Sequence, residues 1–83
     1  MVTKKIRAVR IHAGQGAWAA LVSVHWYHRP SRREVGTTIR KLCIDDLQIP
    51  ARDFNYRHDV NFDSTYIAFR DRTDAVSVYL TLS

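Results

Sequence analysis

The stretch Ala17 to Arg29, AWAALVSVHWYHR, constrains the fold more than any other part of the chain. Read with a period of two, Trp18, Ala20, Val22, Val24 and Trp26 fall on one face, and Ala17, Ala19, Leu21, Ser23, His25 and Tyr27 on the other. Both faces are largely apolar up to Val24, so the pattern predicts a strand covered on both sides. Ala17, Ala19, Ala20 and Leu21 are good helix formers and make a helix the competing reading. Val22, Val24, Trp26 and Tyr27 are β-branched or aromatic and suit a pleated surface better, so strand is the reading adopted. The closing residues Trp26-Tyr27-His28-Arg29 carry rings with polar tips and one fixed charge. They are expected at the rim of the sheet, in contact with solvent.

The flanking segments extend this reading. Lys4 to His12, with Ile6, Val9 and Ile11 set between basic residues, reads as a first strand. Gly14-Gln15-Gly16 permits the positive φ of a tight turn, so a hairpin joins this strand to the next. The glycines lack the Gly-Lys-Ser/Thr that a phosphate-binding loop requires. Pro30 ends the central strand. Ser31-Arg32-Arg33-Glu34 matches a capping box, and Val35, Ile39, Leu42 and Cys43 share one helical face. Gly36-Thr37-Thr38 is a poor helix sequence, about 2 kcal/mol worse than alanines. Helix is taken for this segment, with a strand over Val35 to Leu42 as the alternative.

Asp45 to Pro50 reads as a turn or loop. Ala51 to Asn61 has no clear period and room for one short helical turn, with Phe54, Val60 and Phe62 as plugs for a sheet face. Ser64 to Arg70 reads as a strand. Asp71 to Asp74 is a turn or helix start. Val76, Val78, Leu80 and Leu82 then alternate with Ser77, Tyr79, Thr81 and Ser83 as a C-terminal strand, against a helix begun at Asp71 that would use Ala75, Val76, Tyr79 and Leu80. No internal sequence repeat is visible. The expectation is a single α+β domain over residues 1–83, an antiparallel sheet opened by an N-terminal hairpin, with one or two short helices.

Composition narrows the function classes. Of 13 Lys and Arg residues against 8 Asp and Glu, eleven of the basic ones lie at or before Arg57, which predicts a basic face. Such a face attracts phosphate backbones or acidic proteins, and can equally be a solvated surface. The single cysteine, Cys43, excludes an internal disulfide, fits a reducing cytoplasm, and reads as a buried core residue between Leu42 and Ile44. No apolar run approaches the roughly 18 residues of a membrane span, and the N-terminus lacks the apolar centre of a secretory signal. A cytoplasmic protein with no membrane partner is expected.

The tail Phe69-Arg-Asp71-Arg-Thr-Asp74-Ala75-Val76-Ser-Val-Tyr79-Leu80 resembles an ending found in small bacteriophage accessory proteins. That pattern usually continues with Lys or Arg and an aromatic, where this chain has Thr81-Leu82-Ser83. The resemblance spans about a dozen residues. It implies a phage origin and an accessory or host-directed role in the host cytoplasm, and it carries no active site.

Candidate chemistry follows from residue types. His12, His25, His28 and His58 invite a metal reading, but His25 and His28 are expected on opposite faces and Cys43 has no partner at ligand spacing, so no metal or cofactor is expected. A metal-independent ribonuclease would use His25 or His28 with Arg29 and Arg33, and nothing fixes a spacing for it. No catalytic residue is assigned. Nucleic-acid binding needs cations for phosphates and flat rings for bases. Trp26, Tyr27, His28, Arg29, Arg32, Arg33, Arg40 and Lys41 supply both within sixteen residues. The leading expectation is a non-enzymatic module binding RNA or single-stranded DNA through these residues. The alternative is a phage protein that disables an acidic host protein, such as a defence component, by direct docking on the same Arg and aromatic mixture. Strand-edge pairing at Lys4–His12 or at the C-terminal strand would support a homodimer.

Overall fold

The structure is a computed structural model that describes residues 5–83. The chain runs β1 (Ile6–Ala13), β2 (Ala20–Trp26), α1 (Arg32–Arg40), β3 (Phe54–Asp59), β4 (Ser64–Phe69) and α2 (Arg72–Leu82). All pairings are antiparallel and the strand order is β1-β2-β4-β3. The α+β class, the sheet and the N-terminal hairpin are as the sequence predicts. Lys4, assigned to the first strand by sequence, lies outside the described residues.

The architecture is two hairpin-plus-helix units placed with their second strands side by side. This structural duplication is invisible in the sequence because the two units share no residue pattern. β2 is central, and its residues Ala20, Val22 and Val24 are fully buried. They pack with Val35, Ile39, Leu42 and Cys43 of the first helical segment, Ala75 and Val78 of α2, and Ile67 and Phe69 of β4 in one core. Both helices therefore cover the same face of the sheet. The expectation that β2 is covered on both sides is corrected: on its other face Leu21 and His25 are half-buried and Ser23 is buried, but among the described residues no further layer of structure lies over them.

Local chemistry explains each element. In the β1–β2 turn, Gly16 takes a φ of 62°, and the Gly14 N–H donates to the Ala19 carbonyl at 3.2 Å. The β1–β2 register slips between Ile6 and Ala8, so Arg7 is the extra residue of a bulge. That slip lets Ile6 join Val9 and Ile11 against the core despite their odd spacing. Ser31 caps α1, its hydroxyl accepting the Glu34 N–H at 3.0 Å. The helix continues as a π-helical turn, Lys41–Asp46, where the sequence suggested that a loop begins at Asp45. Gly36, which looked like a flaw in the helix, sits under the Tyr56 hydroxyl, where a Cβ would come within 2.7 Å.

Three expectations are overturned. Residues assigned as irregular contain β3, preceded by a 3-10 turn at Ala51–Asp53. Phe54 does plug the core, but Val60 and Phe62 are 49% and 73% exposed in the β3–β4 turn. The C-terminal element is a helix, not a strand. The Asp71 carboxylate accepts the Thr73 N–H at 2.9 Å and starts it. The core side is formed by Ala75, Val78, Tyr79 and Leu82 at helical spacing, leaving Val76 and Leu80 exposed. Among the described residues there is no C-terminal strand to offer an edge, and the outer strands of the sheet are β1 and β3.

Cys43 is fully buried, and its thiol is pushed up to about 11, first by burial and then by the Asp74 carboxylate. A thiolate is the reactive form. A disulfide reagent at pH 8 is therefore expected to label the native protein far more slowly than the urea-unfolded chain. Equal rates would place the thiol at the surface.

Candidate nucleic-acid interface

The eight residues singled out by sequence do not share one surface. The Trp26 ring is in the core at 7% exposure, and its indole N–H donates to Thr65 Oγ1 at 2.9 Å. Tyr27 is exposed at the rim. His28 Nε2 lies 3.0 Å from Glu34 Oε2, and this hydrogen bond, before the nearby charges of His28 and Lys5, lowers the Glu34 pKa. Arg29 reaches Asp63 at 3.7 Å and Lys41 reaches Asp46 at 3.8 Å. Arg32, Arg33 and Arg40 are exposed on the helical layer. Arg32 opens α1 beside β3, where it lines a hollow with Asn55, Tyr56, Arg57 and His58. Arg40 and Lys41 flank Thr37 and Ile44 near the other end of the helix.

A second array emerges from strand register alone, on the face the helices leave open. Arg10 pairs with Ser23, Ser23 with Tyr66 and Tyr66 with Arg57, so these four form a straight row across the sheet. On one side lies the row His12, Leu21, Ala68, Asn55; on the other lies Ala8, His25, Ser64, Asp59. Neighbouring strands lie about 4.8 Å apart, so the backbones at Arg10 and Arg57 are about 14 Å from each other, with Tyr66 between them. Both arginines are exposed, and among the described residues neither takes part in an ion pair. Asp59 is the only carboxylate in the three rows, and it accepts the Asn61 N–H at 3.0 Å.

The exposed Phe62 adds a second ring. It stands in the β3–β4 turn beside a cleft of about 450 Å³ that Leu21, Asn55, Arg57, Asp59, Tyr66 and Ala68 also line. Its carbonyl is fixed by the Ser64 hydroxyl at 3.0 Å. His12 Nε2 lies 3.1 Å from Ser23 Oγ, and His25 Nδ1 lies 2.7 Å from Ser64 Oγ, which packs the centre of the face and leaves Ser23 and Ser64 buried. The face thus combines a half-buried tyrosine, an exposed phenylalanine, small apolar floor residues and unpaired guanidinium groups at both edges.

No family model, curated protein or solved structure matches this chain. The functional reading therefore rests on the geometry. Among the described residues, no group of three or more His, Cys, Asp or Glu side chains is placed to hold a metal ion, and no helix is long and apolar enough to cross a membrane. Sequence reasoning missed the open-face array because its members come from four separate segments, one of which was not recognised as a strand. The available signals were Tyr66 and Ala68 alternating with core residues in β4, and Arg10 opposite Ser23 once the hairpin register is counted out from its turn.

Proposed function

We propose that the protein is a non-enzymatic module that binds single-stranded nucleic acid across the open face of its sheet. The row Arg10–Ser23–Tyr66–Arg57 carries the reading: an aromatic platform flanked by two unpaired guanidinium groups. Bases stack on aromatic faces without regard to sequence, and arginines take the phosphates to either side. The face is open enough for an unstacked strand, and Phe62 at the cleft supplies a second ring for the adjacent base. The arginines of α1 add to the positive field that draws a polyanion in. A cytoplasmic, phage-encoded accessory role is compatible with this reading.

The test is fluorescence anisotropy with short oligonucleotides at two salt concentrations. Wild-type protein is expected to bind oligo-dT and oligo-U with a steep salt dependence and to bind duplex DNA less tightly. Tyr66→Ala is expected to weaken single-strand binding by about five- to 150-fold, the loss of ~1–3 kcal/mol of stacking. Arg10→Ala and Arg57→Ala should each lower the logarithmic salt slope by about 0.7. If Arg33→Ala and Arg40→Ala reduce affinity while Tyr66→Ala does not, the helical layer is the interface. Absence of any single-strand binding at low salt, with one host protein retained in its place, would overturn the proposal in favour of an inhibitor.

A further inference from the structure

The bulge in β1 has no role in closing the core beyond its one-residue slip, yet it re-aims a charged side chain. Arg7 and Arg10 differ by an odd number of positions and would face opposite ways on a regular strand. With the slip between Ile6 and Ala8, both border one hollow of about 230 Å³, together with Ala8 and His25. We propose that this hollow is a phosphate seat with the His25 imidazole as its third ligand, strengthened when that ring is protonated. Its natural ligand, a phosphodiester of a strand lying over Tyr66, rests on the single-strand reading. The seat itself rests on the hollow.

The hydrogen bonds around His25 fix its proton. The Ser64 hydroxyl donates to the Phe62 carbonyl at 3.0 Å. Its oxygen must then accept from His25, so Nδ1 carries the hydrogen over the 2.7 Å contact. Nε2 is left as the basic nitrogen, and among the described residues the ring's one hydrogen bond is the Nδ1 contact with Ser64. A neutral ring offers a phosphate only a lone pair there; the protonated ring offers a donor and a charge. The groups that face the ring are Arg7 and Arg10 from β1, Ser64 and the diagonal Tyr66 from β4, Ser23 on its own strand, and Asp59 of β3 at the far end of its row. The helices lie behind the sheet. A phosphate anion bound beside the ring favours its protonated form. Phosphate binding and proton uptake are therefore linked, and binding strengthens as the pH falls.

Dimethyl phosphate is the diester probe, because its single charge does not change between pH 6 and pH 8; inorganic phosphate tests a terminal group. Each is titrated into the full chain and followed through the His25 ring and the Arg7 and Arg10 side-chain resonances. The expected result is saturable shifts at these three residues, with affinity for dimethyl phosphate roughly five-fold higher at pH 6 than at pH 8. His25→Gln, which keeps a donor toward Ser64, should bind with no pH dependence, and Arg7→Ala should bind more weakly at both pH values. No shift at these residues, or an unchanged pH dependence in His25→Gln, overturns the seat. If dimethyl phosphate binds but oligonucleotides do not, the seat stands and the single-strand reading fails. If oligonucleotides bind with no response at Arg7 and His25, the strand reading stands and the seat falls.

Discussion

Gly14→Ala is expected to destabilise the protein by about 3 kcal/mol or more, the upper range for forcing atoms into a closed space. A Cβ at this position would lie 2.1 Å from the Trp18 carbonyl oxygen, 2.6 Å from the Ala19 carbonyl carbon and 2.7 Å from the Ala20 nitrogen. All three are backbone atoms, so no side chain can swing away to make room. The loop must open, which breaks the Gly14 N–H to Ala19 carbonyl bond and pulls on Ala20, the first fully buried residue of β2. A domain of this size has total stability on the order of 5–15 kcal/mol, so the change removes a large share of it. Gly36→Ala is the matched control. Its new methyl group meets only the Tyr56 hydroxyl, the far end of a side chain, and the helix regains about 1 kcal/mol of propensity. Urea denaturation should show a large drop in midpoint for the first variant and a small change for the second. Equal midpoints for Gly14→Ala and wild type would mean that the loop does not close as described.

Trp26→Ala is expected to be comparably severe, about 3–5 kcal/mol, because it empties a large buried site at the end of β2. Trp26→Phe separates structure from binding. It keeps a ring in the core and removes the indole N–H that Thr65 Oγ1 accepts at 2.9 Å. Thr65 is fully buried and also lies 2.8 Å from His58 Nδ1, so its hydroxyl keeps one polar neighbour. A loss of about 1–2 kcal/mol is expected on thermal or urea unfolding. Single-strand affinity should stay at the wild-type level, since the ring is not on the open face. A folded Trp26→Phe protein that bound oligonucleotides ten-fold more weakly would return this tryptophan to the binding surface.

The fold was legible wherever local chemistry and periodicity agreed. Glycines at 14 and 16 announced the first turn, Ser31 with Glu34 announced the start of α1, and the alternation in Ser64–Phe69 announced β4. The C-terminal helix was misread because Val76 and Leu80, both exposed, happen to complete a period-two pattern with the inward Val78 and Leu82. β3 was missed because its inward residues are Phe54, Tyr56 and His58, two of them with polar tips, so no apolar alternation marks it. The candidate site was the least legible feature. Residues 26 to 41 are rich in arginine and rings, but Trp26 is buried in the core, and His28, Arg29 and Lys41 lie against Glu34, Asp63 and Asp46. Residues 10, 23, 66 and 57 meet only through register, which composition along the chain does not reveal.

The central β2–β4 pairing also has a consequence for biogenesis. Ala20 meets Phe69, about 50 residues further on, whereas each hairpin closes within its own unit. Hairpins form in about 1–10 μs. During synthesis at ~5–20 residues per second, the first unit waits a few seconds for its counterpart, with the apolar inner rim of β2 unpaired. The hazard for this chain is therefore greatest on the ribosome, where two nascent copies on one message can join along that rim before β4 arrives to seal it.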